Sequence, residues 1–333
     1  NEQRFKLAWM LGEARNYKAA IKVFESLPLD YPDAFHRAYG LALAYFEDGD
    51  YAQSVKALKQ PRVRGSMQAE GYSLLGVAEE RNGHTKQAYE SFRQGILDYP
   101  DNPQNYLNIA TLSCQHLNYD LAVQILTSGI ERLPQSYELF LSRGVAYTLK
   151  VNFRAAERDL QKAIQMAPKD AQGYFCLGLC LLEKGDLNGS VRAFEEEIAR
   201  KPKDPLPYYF MTEGLIQKGA APGTPDFIKA LRAIQTAISI QPNFAHAYRD
   251  RARLELRAGN TEKAFDDLER GHTLDPKANS ISYLLAQTYQ QRGEREKAQK
   301  LFAEVKERSE KDAENFRKDS LTKVLVVISN RPQ

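Results

Sequence analysis

A spacing of 34 residues recurs along this chain and constrains its fold more than any other feature. Prolines keep the spacing in two runs, at Pro100, Pro134, Pro168 and Pro202, then at Pro242 and Pro276. Glycines repeat it independently, in the pairs Gly49 and Gly83, Gly185 and Gly219, and Gly259 and Gly293. A fixed period of roughly 20 to 50 residues is typical of arrays built from one repeated supersecondary unit. The chain is therefore expected to be an array of similar units.

One interval in both series is 40 residues, from Pro202 to Pro242 and from Gly219 to Gly259. Two residue types thus place six extra residues in the same unit. The stretch 219–225 is the densest cluster of proline and glycine in the chain, which predicts a loop. We therefore expect a six-residue insertion within residues 219–227.

Each unit contains two helical patterns. In the unit 171–204, Tyr174, Leu177, Gly178 and Leu181 follow an i, i+3, i+4, i+7 spacing that predicts a helix with one apolar stripe. After the turn at Gly185, a second helical stripe follows. Neither helix can bury its stripe alone, so neighbouring units must stack to complete the core.

Small and aromatic residues recur at fixed places within these units. The first helix carries a small residue at Gly76, Ala110, Gly144, Gly178, Ala252 and Ala286. The second helix carries one at Ala20, Ala88, Ala122, Ala156, Ala230, Ala264 and Ala298. Together with the aromatic residue before Leu-Gly, the glycine turn, the later phenylalanine and the final proline, this pattern resembles the tetratricopeptide-repeat (TPR) family.

The resemblance implies an all-α, right-handed superhelical solenoid of about nine helix-turn-helix repeats. The repeats are expected to cover residues 1–311 and to start near residues 1, 35, 69, 103, 137, 171, 205, 245 and 279. Residues 312–333 are expected to form a C-terminal capping helix or tail, in which Phe316, Leu321, Val324, Leu325 and Ile328 recur at helical intervals.

Two units depart from the pattern. The second runs Lys-Gln-Pro-Arg-Val-Arg-Gly over 59–65 and has Ser66 where its terminal proline belongs, so its second helix should end early. The seventh carries Thr212 at the small position in addition to the insertion.

Composition excludes several classes of protein. The 46 basic and 43 acidic residues leave a net charge of +3, too little for a strong field toward nucleic acid or anionic membranes. No run of eighteen apolar residues predicts a membrane span. The composition predicts a soluble protein. Because the chain begins with Asn1, its location stays open: cytoplasmic, or periplasmic in a bacterium if an upstream signal peptide was removed. The three cysteines, Cys114, Cys176 and Cys180, have no C-x-x-C spacing and are expected to be buried thiols.

Catalytic signals are weak. The five histidines form no metal-binding motif, and no phosphate-binding or nucleophile motif is present. The carboxylate runs at 195–197 and 266–267 are expected to lie on solvated helix faces. We therefore expect no enzyme activity, no cofactor and no metal.

In TPR proteins the first helices line a concave groove, and repeat positions 5, 9 and 12 usually face a ligand. The resemblance thus implies a binding surface drawn from Tyr39, Leu107, Leu141, Val145, Phe175, Leu179, Leu182, Tyr209, Glu213, Arg249, Arg253, Arg257 and Tyr283. An exposed groove with so many apolar residues at its centre implies an occupant. The alternative is that tight winding packs these residues against each other or against the chain's own tail.

Arg249, Arg253 and Arg257 stand four apart and should stack along one helix. Their charges call for compensation, either by Glu213 with Glu183 or by an acidic or C-terminal carboxylate group of a ligand. The leading hypothesis is a scaffold that holds a protein or peptide, apolar with an acidic or carboxylate end. The alternatives are a regulatory or targeting portion of a larger enzyme and, less favoured by the charge balance, an array that binds nucleic acid or phosphate.

Overall fold

The computed structural model describes residues 1–312, and the regular secondary structure in that range is entirely helical. Contacts between Cα atoms divide the chain into two compact units, Asn1–Leu139 and the residues from Phe140 onwards. The first helices in order are α1 (Glu2–Glu13), α2 (Tyr17–Glu25), α3 (Ala34–Glu47), α4 (Tyr51–Leu58), α5 (Pro61–Arg64), α6 (Ala69–Arg81), α7 (Thr85–Asp98), α8 (Pro103–Gln115) and α9 (Tyr119–Arg132). The others are α10 (Tyr137–Leu149), α11 (Phe153–Met166), α12 (Ala171–Lys184), α13 (Leu187–Arg200), α14 (Pro205–Gln217), α15 (Pro225–Ile240), α16 (Ala245–Arg257), α17 (Thr261–Leu274), α18 (Asn279–Gln291) and α19 (Arg295–Asp312).

Eighteen of these helices follow one another as nine pairs within residues 1–312, and α5 is the additional one. Within each of the two compact units, the second helix of a repeat packs on the first helix of the same repeat and on the first helix of the next repeat. Helix α13, for example, packs on α12 and α14. The all-α repeat fold is thus confirmed. The expected C-terminal cap, from Phe316 to Ile328, lies outside the described residues, and the exact repeat boundaries stay a prediction.

The second repeat ends early, as its sequence indicates. Helix α4 stops at Leu58, and the four-residue α5 starts at Pro61. Proline lacks the backbone N–H that an α-helix interior requires, so it begins a new helix instead of extending the old one.

A small residue in the first helix of a repeat allows the second helix of that repeat to approach closely. A Cβ atom built on Gly178 would lie 2.5 Å from the ring of Phe194, which is fully buried. The corresponding side chain of Thr212 is also fully buried, and its hydroxyl donates to the carbonyl oxygens of Tyr208 (2.9 Å) and Ala230 (3.3 Å). Threonine is tolerated there because its one polar group is satisfied.

The turn between the two helices of a repeat requires a left-handed backbone. Gly185 has φ 86°, and glycines occupy the equivalent place in five other repeats. In three repeats the same position is held by residues with a side chain, namely Arg15, Leu117 and Val151, with φ of 58°, 59° and 64°. The glycine spacing therefore marks only six of the nine turns, because the backbone keeps the left-handed conformation in the three repeats that lack the glycine.

The insertion in the seventh repeat forms a loop and lengthens a helix. Helix α15 starts at Pro225 with Thr224 as its N-cap and has 16 residues, compared with 14 in α13. The guanidinium of Arg257 donates to the carbonyl oxygens of Ile216 (3.3 Å) and Ala220 (3.2 Å). The loop is therefore tied to the next repeat through its backbone.

Each unit has its own apolar core. In the first, one cluster is built around Phe24, Leu41 and Leu58. In the second, a larger cluster joins residues of α10 to α16, including Phe175, Cys176 and Phe194. All three cysteines are buried free thiols, as expected, and burial raises their pKa.

Candidate interaction surface

The apolar residues expected in the groove are core residues. Leu141 is 2% exposed and Leu179 is 1% exposed. The same holds for the other apolar members of the set and for one tyrosine: Leu107, Val145, Phe175, Leu182 and Tyr209 are buried. The prediction that these side chains line an open groove is wrong.

Packing between first helices explains this burial. In the second unit α12 contacts α14, and α14 contacts α16, so the first helices of successive repeats touch each other directly. Leu141, Phe175, Leu179 and Tyr209 belong to one buried cluster with Leu215 of α14. Their burial agrees with the alternative given in the sequence analysis, in which tight winding packs these residues against each other. In the first unit Tyr39 is half-buried and stacks on Phe35, with ring centroids 5.6 Å apart.

Four charged residues on α14 and α16 and one tyrosine on α18 form a separate group in the second unit, here called the first-helix face: Glu213, Arg249, Asp250, Arg253 and Tyr283. Its centre is Asp250, which is 0% exposed. One carboxylate oxygen, Oδ1, accepts from Arg249 Nε (2.8 Å) and Arg253 Nη1 (3.4 Å). The other, Oδ2, has no hydrogen-bond partner in the described part of the chain.

Arg249 is held by three neighbours at once. Besides Asp250, it donates through Nη2 to the Tyr209 hydroxyl (3.0 Å) and through Nη1 to Ser280 Oγ (3.1 Å). Each of its three nitrogens thus has a partner, and they tie α16 to α14 and α18. Arg249 is a structural link, which leaves it poorly suited to hold a ligand.

Glu213 lies in the same cluster and is half-buried. Burial, and next the negative charge of Asp250, raise the pKa of its carboxyl group, although Arg249 and Arg253 act in the opposite direction. Asp250, and not Glu213, accepts the hydrogen bonds of Arg249 and Arg253. These arginines are therefore compensated within the chain: Asp250 accepts their hydrogen bonds, and Glu213, the carboxylate that the sequence indicated, contributes through its charge.

Two of the remaining candidates are accessible. The side chain of Arg253 is 38% exposed, and its 3.4 Å contact with Asp250 leaves donors free for another acceptor. Tyr283 on α18 is 49% exposed. Arg257 is exposed too, but it donates to the two backbone carbonyls at the insertion loop. Arg253 and Tyr283 are thus the members of the expected set that can meet a partner.

Two carboxylate runs are not wholly solvated, contrary to expectation. Asp267 and Glu197 are buried. Asp267 accepts two hydrogen bonds from Arg251 of the paired helix, because residues 16 apart on the two helices face each other across the hairpin. These acids serve packing between the helices of a repeat.

Among residues 1–312 no group of histidine, cysteine and carboxylate side chains is arranged to hold a metal ion. Over the same range, none of the helices has the length and apolar character needed to span a bilayer.

Sequence profiles described as tetratricopeptide repeat match the chain over residues 5–66, 39–103, 152–205 and 226–279, and a second such profile matches residues 255–317. These matches cover more than half of the chain. The chain belongs to the TPR family. A search of curated protein sequences found no match.

Solved TPR structures share the fold at low sequence identity. Yeast Tom70 is 18% identical with a TM-score of 0.59, and the match covers 87% of this chain and 63% of Tom70. A TPR protein from Parabacteroides merdae is 19% identical with a TM-score of 0.56, covering 76% of this chain and 98% of that one. MamA is 21% identical with a TM-score of 0.44, covering 51% and 96%. The likenesses to Tom70 and to the Parabacteroides merdae protein concern the fold alone.

Proposed function

We propose that this TPR chain is a protein-interaction scaffold and that the first-helix face of its C-terminal repeats binds a partner that presents a carboxylate. The observation that carries the proposal is the environment of Arg253. Its guanidinium is partly exposed, and its one hydrogen bond within residues 1–312, 3.4 Å long to Asp250, leaves other N–H donors free for an acceptor.

The chemistry favours one class of ligand group. A guanidinium presents a planar fork of N–H donors that matches a carboxylate in two parallel hydrogen bonds. Tyr283 supplies an exposed aromatic surface on the next first helix, and tyrosine is enriched in protein interfaces. A peptide that ends in an acidic residue, with an apolar side chain close to its end, suits both features.

A titration with synthetic peptides tests the proposal. A labelled peptide with two C-terminal glutamates and a free carboxylate is compared, by fluorescence anisotropy, with the amidated peptide that carries glutamines. Arg253→Ala should weaken binding of the acidic peptide in a salt-dependent manner and leave the neutral peptide nearly unaffected.

The matched control is Arg270→Ala, which removes the same charge from an exposed position on α17 of the same repeat. It should leave both affinities unchanged. If Arg253→Ala weakens both peptides equally, or if both arginine variants weaken the acidic peptide equally, carboxylate recognition at Arg253 is rejected.

A further inference from the structure

The second unit also has grooves between the two helices of one repeat, away from the first-helix face. In the fifth repeat such a groove lies between α10 and α11 and has a volume of about 490 Å³, with Phe140 and Arg158 in its lining. In the seventh repeat a cavity of about 470 Å³ lies between α14 and α15, with Tyr208 and Arg232 in its lining. Allowing for the insertion, these two pairs of residues occupy the same repeat positions. We call these sites the intra-repeat grooves.

The arginine recurs in the repeat between them. Arg158, Arg192 and Arg232 occupy one position on the second helices of the fifth, sixth and seventh repeats. All three are exposed, and within the described residues none has a hydrogen bond or an ion pair to its side chain. Because equivalent positions of stacked repeats lie side by side, the three guanidinium groups form a row along the second helices.

The cations that flank Arg158 on its own helix do not neutralise it. On α11, Arg154 and Lys162 lie one turn to either side of Arg158 and also have no partner among the described residues. Like charges at this spacing cost a helix roughly 0.2 to 0.5 kcal/mol per pair. Other exposed cations nearby are paired, for example Lys184 with Glu157 (2.8 Å).

The row ends at the eighth repeat. In the eighth repeat the equivalent position is Asp266, which carries the opposite charge. In the sixth repeat the groove is filled by the chain itself, because Arg200 lies over the Tyr174 ring at 3.8 Å and donates to its hydroxyl. Open grooves lined by an arginine thus occur in the fifth and seventh repeats, with Arg192 on the repeat between them.

We propose that these arginines and the two intra-repeat grooves form a second docking surface, which binds an acidic segment of a partner protein. Carboxylate side chains fit the guanidinium forks, and apolar side chains of the segment fit beside Phe140 and Tyr208. A nucleic acid is less suited, since the net charge of the chain is only +3 and carboxylates such as Glu195 border the row.

The test uses three probes: an acetylated and amidated peptide of alternating glutamate and leucine, the same peptide with glutamine in place of glutamate, and a short oligothymidylate. Binding to the whole chain is measured by fluorescence anisotropy in low salt. The triple variant Arg158→Gln, Arg192→Gln and Arg232→Gln should bind the acidic peptide roughly tenfold more weakly, since each exposed arginine–carboxylate pair contributes up to a few-fold.

The matched control is Lys169→Gln, Lys203→Gln and Lys277→Gln, which removes the same charge from exposed turns of the same unit. This control should leave binding of the capped peptide within twofold of wild type. Circular dichroism confirms that all variants are folded. Equal losses in the two triple variants, equal binding of the glutamine peptide, or tighter binding of the oligothymidylate through the same arginines would each overturn the proposal.

Discussion

Val151 offers a test of the repeat geometry, because it adopts the left-handed turn conformation that its counterpart Gly185 adopts in the next repeat. A left-handed backbone costs a residue with a Cβ roughly 1 to 2 kcal/mol. Val151 is 67% exposed, so burial of its side chain offsets little of this conformational cost. Glycine relieves the strain but loses about 0.5 to 1 kcal/mol through the greater entropy of the unfolded chain. We therefore expect Val151→Gly to stabilise the protein by about 0.5 to 1 kcal/mol.

The reverse exchange is the control. No atom lies within 4 Å of a Cβ built on Gly185, so Gly185→Val should destabilise by a similar amount through backbone strain alone. Both values are read from equilibrium urea unfolding followed by circular dichroism, with the slope m unchanged. A loss of stability in Val151→Gly, or no loss in Gly185→Val, would refute the assignment of both residues to one strained turn position.

Three further predictions concern the core and the first-helix face. Leu179→Glu should unfold the second unit, visible as lost helix signal, because an unpaired charge would replace a buried side chain; retained helicity would contradict its core position. Gly178→Ala should cost about 1 to 3 kcal/mol in urea unfolding because of the Phe194 ring, and a neutral result would contradict that close approach. Because the folded-state pKa of Glu213 is raised, its contribution to stability is complete below its ordinary pKa of 4.5 and is lost as pH rises through the raised value. Glu213→Gln should therefore stabilise the protein more at pH 8 than at pH 5, and an equal effect at both would contradict this shift.

Most of the fold could be read from the sequence because each repeat position has a local physical demand. A glycine or alanine is needed where Phe194 and its counterparts approach, and Pro61 cannot lie in a helix interior, so α4 ends before it and α5 starts with it. The turn positions at Leu117 and Val151 escaped detection, since the tertiary structure imposes a left-handed backbone that these residues do not themselves favour.

The candidate site was harder to predict because helix periodicity does not say how closely neighbouring first helices approach. Leu141 and Leu179 lie at positions that face a ligand in the family pattern, yet direct packing of the first helices buries them. Asp250 was missed for a related reason. A carboxylate between two arginines looks like an ordinary surface residue until the fold buries it.

In our proposal, the chain holds a partner protein through the first-helix face around Arg253. This proposal is tested most directly by quantitative affinity purification from the native source, with wild type, Arg253→Ala and Arg270→Ala as baits. We expect wild type and Arg270→Ala to retain the same specific proteins and Arg253→Ala to lose them. Retention of the same proteins by Arg253→Ala, or an equal loss with Arg270→Ala, would contradict it.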